Sequence, residues 1–248
     1  MGSINIAGTD WFFQHTPGPD QAATLVFIHG SGGNHEMWSG QMTQAFNSIA
    51  LDLPGHGQSG GYPADSIGQS ASAVAEFLAQ MKLPRPLYLV GHSMGAAITL
   101  TLALHHPELL DGIILVGAGQ RMRVMPAFLE ALRTGQHDPG FFRLAFSPAA
   151  PPEIVENMVK TIASVSPAVL YADFSACNDF DLSQELENIT KPTLLIVGED
   201  DKMTPLKLSQ YIAEHIAGAQ LEIIPAAGHF VMLEKPAQVN QLIRDFCS

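Results

Sequence analysis

Short apolar runs alternate with longer stretches of helical periodicity along most of the chain. The runs are nearly continuous, as is typical of strands covered by helices on both faces; they are residues 24–28, 48–53, 87–91, 112–117, 193–198 and 220–225. Apolar positions spaced three and four apart predict helices over residues 66–80, 94–106, 205–217 and 236–246. The pattern predicts an α/β fold with a mostly parallel sheet flanked by helices.

The alternation of strands and helices changes at two places. Near the start, "SINIA" and "DWFFQH" on either side of Gly8 predict an antiparallel hairpin at the edge of the sheet. Between residues 120 and 191, helical pieces are broken by prolines and no strand pattern is present. We expect residues 1–119 and 192–248 to form the core and residues 120–191 to form a helical cap inserted into it.

Composition and charge exclude several classes of protein. The 248 residues contain 12 Lys and Arg against 24 Asp and Glu, and a net charge of −12 makes nucleic acid an unsuitable partner. The sequence lacks the basic and apolar regions of a signal peptide and any apolar run of about 18 residues, so we expect no membrane span. Two cysteines without metal-ligand spacing predict no metal site and favour a cytoplasmic protein.

One serine lies where a predicted strand passes directly into a predicted helix. It is the centre of Gly91-His92-Ser93-Met94-Gly95, a G-x-S-x-G pattern. The turn is so sharp that side chains two positions before and after the serine would collide, which explains the two glycines. The hydroxyl would then project at the carboxyl edge of the sheet. An ordinary strand-to-helix turn with a capping serine is the alternative.

A serine hydroxyl needs a base to become nucleophilic, and the base needs a group that fixes its tautomer. Asp200 and Asp201 follow one late predicted strand, and His229 follows the next. Parallel strands end at the same edge of a sheet, so these side chains are expected near Ser93. The residues themselves leave Asp200 and Asp201 as alternatives. Of the other histidines, we expect His35 to be solvated.

The glycine-rich stretch His29-Gly30-Ser31-Gly32-Gly33 directly follows the predicted strand 24–28. Such a bend presents backbone NH groups toward negative charge that develops during a reaction. We expect the amides of Ser31 and Met94 to form an oxyanion hole. A phosphate-binding loop is the competing interpretation, but no Gly-Lys-Ser/Thr follows.

Together these motifs resemble the α/β-hydrolase superfamily, in particular its small cofactor-free bacterial carboxylesterases with a helical cap. The resemblance spans nearly the whole chain through "HGSGGNHEMW", "LDLPGHGQSG", "GHSMG", "GEDDKMTP" and "AAGHFVMLEKP". In relatives with G-x-x-D-x-x-x-P, the acid is the aspartate four residues before the proline. The resemblance therefore implies Asp201 as the acid, no cofactor and a small-molecule ester as substrate.

The predicted cap is rich in methionine and phenylalanine, which would give the site an apolar and adaptable roof. The expected substrate contacts are Met125, Phe128, Phe142 and Phe146. Four arginines of the cap are expected to lie on a solvated helix face, and contact with a substrate carboxylate is the alternative; they are Arg121, Arg123, Arg133 and Arg143.

These interpretations predict a serine hydrolase that cleaves carboxylic esters of small-to-medium apolar acyl groups through an acyl-enzyme. Two alternatives remain open. One is carbon–carbon bond hydrolysis or lactone opening on the same triad, and the other is a ligand-binding receptor that keeps the hydrolase shell. The sequence makes no prediction about oligomeric state.

Overall fold

One sheet of eight strands organises the protein, whose computed structural model describes residues 1–248. The strands are β1 (Gly2–Ile6), β2 (Thr9–Thr16), β3 (Thr24–Ile28), β4 (Asn47–Leu51), β5 (Leu87–His92), β6 (Gly112–Val116), β7 (Thr193–Gly198) and β8 (Gln220–Ile224). Their order is β1-β2-β4-β3-β5-β6-β7-β8. The neighbours from β4 through β8 are parallel, whereas β1 and β2 run antiparallel at one edge. The predicted α/β class and the terminal hairpin are confirmed.

The helices are α1 (Ile67–Met81), α2 (Met94–His105), α3 (Pro126–Arg133), α4 (Pro152–Ser164), α5 (Pro167–Asp179), α6 (Leu206–His215), α7 (Val231–Glu234) and α8 (Pro236–Phe246). Short 3-10 helices cover His35–Trp38, Pro107–Leu109, Pro139–Ala145 and Leu186–Asn188. None of the helices combines the length and the apolar character needed to cross a bilayer.

Two apolar cores lie on opposite faces of the sheet, because successive residues of a strand point to opposite sides. Val26 and Ile28 of β3 belong to the core that α1, α2 and α6 cover. Leu25 and Phe27 belong to the other core, which α8 covers. Burial on both faces explains why the central strands are continuously apolar in sequence.

Strand β4 ends at Leu51, two residues earlier than the sequence pattern predicts, although the Asp52 amide still donates to the Phe12 carbonyl of β2 at 3.0 Å. The Asp52 carboxylate accepts hydrogen bonds from the His35 amide at 2.7 Å, from His35 Nδ1 at 2.8 Å and from the Gln58 amide at 2.8 Å. The expectation that His35 is solvated is wrong, since this histidine is buried against Asp52.

The segment between β6 and β7 contains only helices, α3 to α5 and two short 3-10 helices, as the sequence predicts. Its one β-type contact is an isolated antiparallel bridge between Arg121 and Asp181. Buried side chains of this segment, including Phe128, Phe142 and Leu170, join the same core as α8. We call residues 120–191 the inserted segment; the division of the chain into core and cap stays a prediction.

Candidate active site

Ser93 lies between β5 and α2 with φ +52° and ψ −113°, a strained conformation for a residue other than glycine. A Cβ on Gly91 would stand 2.1 Å from the Gly95 carbonyl oxygen, and one on Gly95 would stand 2.3 Å from the Ile28 carbonyl oxygen. The Ser93 amide donates to the Val116 carbonyl at 3.0 Å, which ties the turn to β6. The two glycines therefore permit a turn that places the Ser93 side chain in the lining of a cavity.

His229 and Asp201 form a buried pair beside the same cavity. His229 Nδ1 lies 2.9 Å from Asp201 Oδ2, and both side chains are at most 5% exposed. Asp201 Oδ1 accepts the amides of Met203 and Thr204, each at 2.9 Å. Burial alone would raise the pKa of Asp201, but the charge of His229 and the hydrogen bonds from His229 and Thr204 lower it overall. An ionised Asp201 holds the proton on His229 Nδ1, which leaves Nε2 with a lone pair.

Thr204 is a site residue that the sequence analysis did not identify. Its hydroxyl lies 2.9 Å from Asp201 Oδ2, 3.1 Å from His229 Nδ1 and 2.9 Å from the Gly117 carbonyl oxygen. Gly117 has φ +57°, and a Cβ there would stand 3.1 Å from His229 Nδ1. The spacing of Thr204 three residues after Asp201 was the available signal, since a side chain at that offset reaches back into the turn.

Asp200 points away from the histidine. Its Oδ2 accepts a hydrogen bond of 2.6 Å from Ser147 Oγ, a residue of the inserted segment. The structure thus brings Asp201 and not Asp200 to His229.

Backbone contacts hold the His229 loop in place. The His229 amide donates to the Ala145 carbonyl at 2.7 Å, and His92 Nε2 donates to the His229 carbonyl at 3.0 Å. Burial, followed by the charge of His229, lowers the pKa of His92 to about 3, so His92 is neutral and acts as a fixed donor. The Glu234 carboxylate accepts the Gly228 amide at 3.0 Å and the Ser147 amide at 3.1 Å.

The glycine-rich loop after β3 approaches the serine closely. A Cβ on Gly30 would stand 3.1 Å from Ser93 Cβ. The Ser31 amide donates no hydrogen bond within the protein. The Met94 amide is the first of α2, where helical amides have no intrahelical acceptor. Two free NH groups near Ser93 are the donors that an oxyanion requires.

Helix α5 of the inserted segment packs directly on this loop. Asp173 Oδ2 accepts the Gly32 amide at 2.8 Å, and Leu170 Cδ2 lies 2.5 Å from where a Cβ on Gly32 would stand. One turn further along, Cys177 Sγ lies 3.6 Å from Ser31 Oγ. The offsets of three and seven residues place all three side chains on one face of α5. The loop conformation therefore depends on the inserted segment.

His56 and Asp173 form a second buried pair, 2.9 Å between Nε2 and Oδ2. His56 Nδ1 lies 3.0 Å from the Pro54 carbonyl oxygen, so both ring nitrogens face acceptors. Burial alone would lower the pKa of His56, but the hydrogen bond and the charge of Asp173 raise it overall. The two ring nitrogens can donate to both acceptors at once only when His56 is protonated.

The cavity has a volume of about 480 Å³. Ser31, Ser93 and His229 line it, together with an aromatic wall from the inserted segment, which consists of Phe128, Phe141, Phe142 and Phe174. The expected contacts Met125, Phe128 and Phe142 are part of this lining. The expectation for Phe146 is corrected: its ring stacks on Phe230 at a centroid distance of 4.8 Å, because the chain turns extended after the 3-10 helix Pro139–Ala145.

The four arginines of the inserted segment divide into two pairs. Arg133 pairs with Glu130 and Arg143 with Glu156 on exposed surfaces, as expected for a solvated helix face. Arg121 and Arg123 instead line the cavity, and for these two the expectation of a solvated helix face is wrong. Both lie in the segment between the end of β6 and the start of α3, which is not helical. No three His, Cys, Asp or Glu side chains converge in a way that would hold a metal ion.

Comparison with known proteins places this chain among the hydrolases. Residues 25–242 match the model of the alpha/beta hydrolase family. The chain therefore belongs to the alpha/beta hydrolase family, and the predicted hydrolase is confirmed.

Individual relatives cover nearly the full length. The solved structure of a thermophilic esterase is 33% identical with a TM-score of 0.86, covering 99% of this chain and 96% of that one. The pimeloyl-[acyl-carrier protein] methyl ester esterase of Nitrosomonas europaea is 28% identical, over 96% of this chain and 97% of that protein. The 3-oxoadipate enol-lactonase 2 of Acinetobacter baylyi is 27% identical, over 92% and 90% respectively.

Proposed function

We propose that the protein hydrolyses carboxylic esters of small-to-medium apolar acyl groups through an acyl-enzyme on Ser93. The proposal rests on one arrangement: a strained Ser93 lines the same cavity as His229, which pairs with Asp201, and the Ser31 and Met94 amides have no acceptor within the protein. These are the nucleophile, base, orienting acid and oxyanion donors of acyl transfer.

In the first half of the reaction, Ser93 Oγ attacks the ester carbonyl carbon while His229 Nε2 takes the hydroxyl proton. The Ser31 and Met94 amides donate to the oxyanion that forms. His229 then returns the proton to the alkoxide, the bond to the alcohol breaks, and the acyl group stays on Ser93.

In the second half, water attacks the acyl carbon and His229 Nε2 takes its proton. Collapse of the second oxyanion breaks the bond to Ser93 Oγ, which recovers the proton from His229. Asp201 remains ionised throughout and stabilises the imidazolium in both halves.

The apolar acyl preference rests on the aromatic wall. Phe142 is 3% exposed, and Phe128 and Phe174 are 9% exposed, so an acyl chain that packs on them loses its contact with water. Each buried methylene adds up to about 0.8 kcal/mol, or about fourfold in kcat/KM. A cavity of about 480 Å³ limits this gain. We expect kcat/KM to rise from acetyl to about butyryl or hexanoyl and then to fall.

Two measurements test the proposal. A fluorophosphonate probe should label the wild type and not Ser93→Ala. A panel of p-nitrophenyl esters of increasing acyl length should give the rising and falling profile, and Phe142→Ala should move its maximum to longer chains. Phe146→Ala is the matched control, because this equally buried ring lies outside the cavity lining and should leave the position of the maximum unchanged. Labelling that survives in Ser93→Ala, or a flat profile, contradicts the proposal.

Lactone opening is a second candidate, since a lactone is a cyclic ester that the same residues would cleave. The similarity to an enol-lactonase favours including lactones in the panel. Stoichiometric acylation of Ser93 without turnover of any ester, lactone or dienoate would instead favour a ligand-binding receptor.

A further inference from the structure

Four basic side chains lie around the cavity, and we call them the basic rim: Arg121, Arg123, Lys202 and Lys207. None of the 22 residues that line the cavity is Asp or Glu. The whole chain has 24 acidic against 12 basic residues, so a surface patch of average composition would be acidic. The basic rim therefore gives the cavity that contains Ser93 a positive charge, opposite in sign to the net charge of the protein.

The basic rim is assembled by the topology of the sheet. Arg121 and Arg123 follow β6, and Lys202 and Lys207 follow β7, its parallel neighbour. The Arg121 carbonyl oxygen and Leu208 Cδ1 each lie 3.0 Å from where a Cβ on Gly119 would stand. The two cation-bearing segments are therefore in contact at the carboxyl edge.

Most of the charge of the basic rim is not neutralised. Arg123 pairs with Asp181 at 2.9 Å, whereas Arg121, Lys202 and Lys207 form no ion pair. All four residues are exposed, whereas Phe128, Phe142 and Phe174 of the aromatic wall are buried. Cations that border a low-dielectric cleft concentrate their field in it and attract anions from solution.

The cavity thus has two chemically different ends. An anion at the aromatic wall would lose its hydration without a partner, which is strongly unfavourable. At the basic rim it would remain partly hydrated and close to three cations that form no ion pair, of which Arg121 also feels the charge of Asp181. Since the proposed function assigns the acyl chain to the aromatic wall, the alcohol part of the ester is the part that reaches the basic rim.

We propose that the basic rim binds an anionic group, a carboxylate or a phosphate, on the alcohol part of the ester. The inference rests on the proposed ester hydrolysis and names the substrate class within it. The enzyme then favours esters with an apolar acyl chain and an anionic alcohol over esters that are apolar throughout.

Two matched pairs of substrates test the proposal. On the alcohol side, 3-(butyryloxy)propanoate is compared with propyl butyrate, in which a methyl group replaces the carboxylate. On the acyl side, monomethyl adipate is compared with methyl hexanoate. In about 20 mM salt we expect kcat/KM to be about threefold to tenfold higher for the anionic member of the first pair, and this preference to shrink in about 500 mM salt. In the second pair the neutral ester should be preferred.

Two matched double variants separate the effect of the basic rim on substrate preference from the effect of the net charge of the protein. Arg121→Gln/Lys207→Gln should remove the preference within the first pair. Lys160→Gln/Arg244→Gln removes the same two charges from α4 and α8, outside the cavity lining, and should keep it. If the wild type hydrolyses these esters, a preference that persists in the rim variant, equal rates for the two members of the first pair in the wild type, or a preference for monomethyl adipate would each overturn the proposal.

Calorimetry on Ser93→Ala distinguishes a failure of this proposal from a failure of the proposed function, because it measures binding without turnover. Tighter binding of 3-(butyryloxy)propanoate than of propyl butyrate, lost in the rim variant, supports the anion site even if the wild type hydrolyses no ester. Equal binding of the two, together with equal hydrolysis by the wild type, overturns the anion site and leaves ester hydrolysis intact.

Discussion

Replacing Asp173 by asparagine is expected to destabilise the protein, and more so at low pH than at high pH. Asp173 Oδ2 accepts hydrogen bonds from Gly32 and His56, and its side chain is 3% exposed. Hydrogen bonds to a charged group contribute about 1.5–3 kcal/mol each against about 0.5–1.5 for neutral ones. Loss of the charge alone should therefore lower the free energy of unfolding by about 2–3 kcal/mol when His56 is protonated.

The pH dependence follows from the raised pKa of His56. A histidine whose folded pKa exceeds its unfolded value stabilises the folded state fully below the unfolded pKa, and this stabilisation is lost as pH rises through the folded pKa. Asp173→Asn should thus cost most near pH 6 and about half as much or less near pH 9.

Urea unfolding of the wild type and the variant at these two pH values measures the effect. Glu156→Gln is the control, because its pair with Arg143 lies on the exposed surface and should contribute little to stability, equally at both pH values. An equal loss for Asp173→Asn at both pH values, or a larger one near pH 9, would refute His56 as a buried cation. Because Asp173 also fixes the Gly32 amide, kcat should fall by up to about 10²-fold with KM little changed.

Further predictions concern the acid and the approach of the base. Asp201→Asn should lower kcat by about 10⁴-fold, because the asparagine favours the wrong tautomer of His229. Asp200→Asn should lower kcat only slightly, because the Asp200 side chain bonds Ser147 and not His229. Steady-state kinetics on one ester compares the two variants, and a larger loss for Asp200→Asn contradicts the assignment. Gly117 has φ +57°, and a Cβ there would stand 3.1 Å from His229 Nδ1. Gly117→Ala should therefore lower kcat, while circular dichroism should show that the variant remains folded. An unchanged kcat would show that this contact does not control the position of His229.

The sequence pattern predicts the sheet well, because strands buried on both faces produce continuous apolar runs. It also predicts that Ser93, His229 and the adjacent Asp200 and Asp201 lie at one edge of the sheet, because strand order determines which loops meet at the carboxyl edge. It cannot separate Asp200 from Asp201 without the resemblance, since adjacent carboxylates differ only in which way the turn points them. The structure separates them through Thr204 and Ser147.

Contacts between distant segments escape sequence reasoning for a physical reason. Asp173 and His56 are far apart in the chain, and nothing local distinguishes a buried ion pair from two solvated polar residues. The stacking of Phe146 on Phe230 likewise depends on where the chain turns after the 3-10 helix Pro139–Ala145. Helical periodicity identifies which residues are apolar but not which apolar surface each one contacts.

The inserted segment lines the cavity and also bonds the loops of the candidate active site, and this limits how the substrate specificity of such enzymes can change. Asp173 holds the loop that carries Ser31, and the Ala145 carbonyl and Ser147 hold the loops that carry His229 and Asp200. A segment transplanted from a relative to change substrate choice must reproduce these attachments or lose turnover. New specificity is therefore more readily reached by exchanging aromatic side chains within the existing helices than by exchanging the helices themselves.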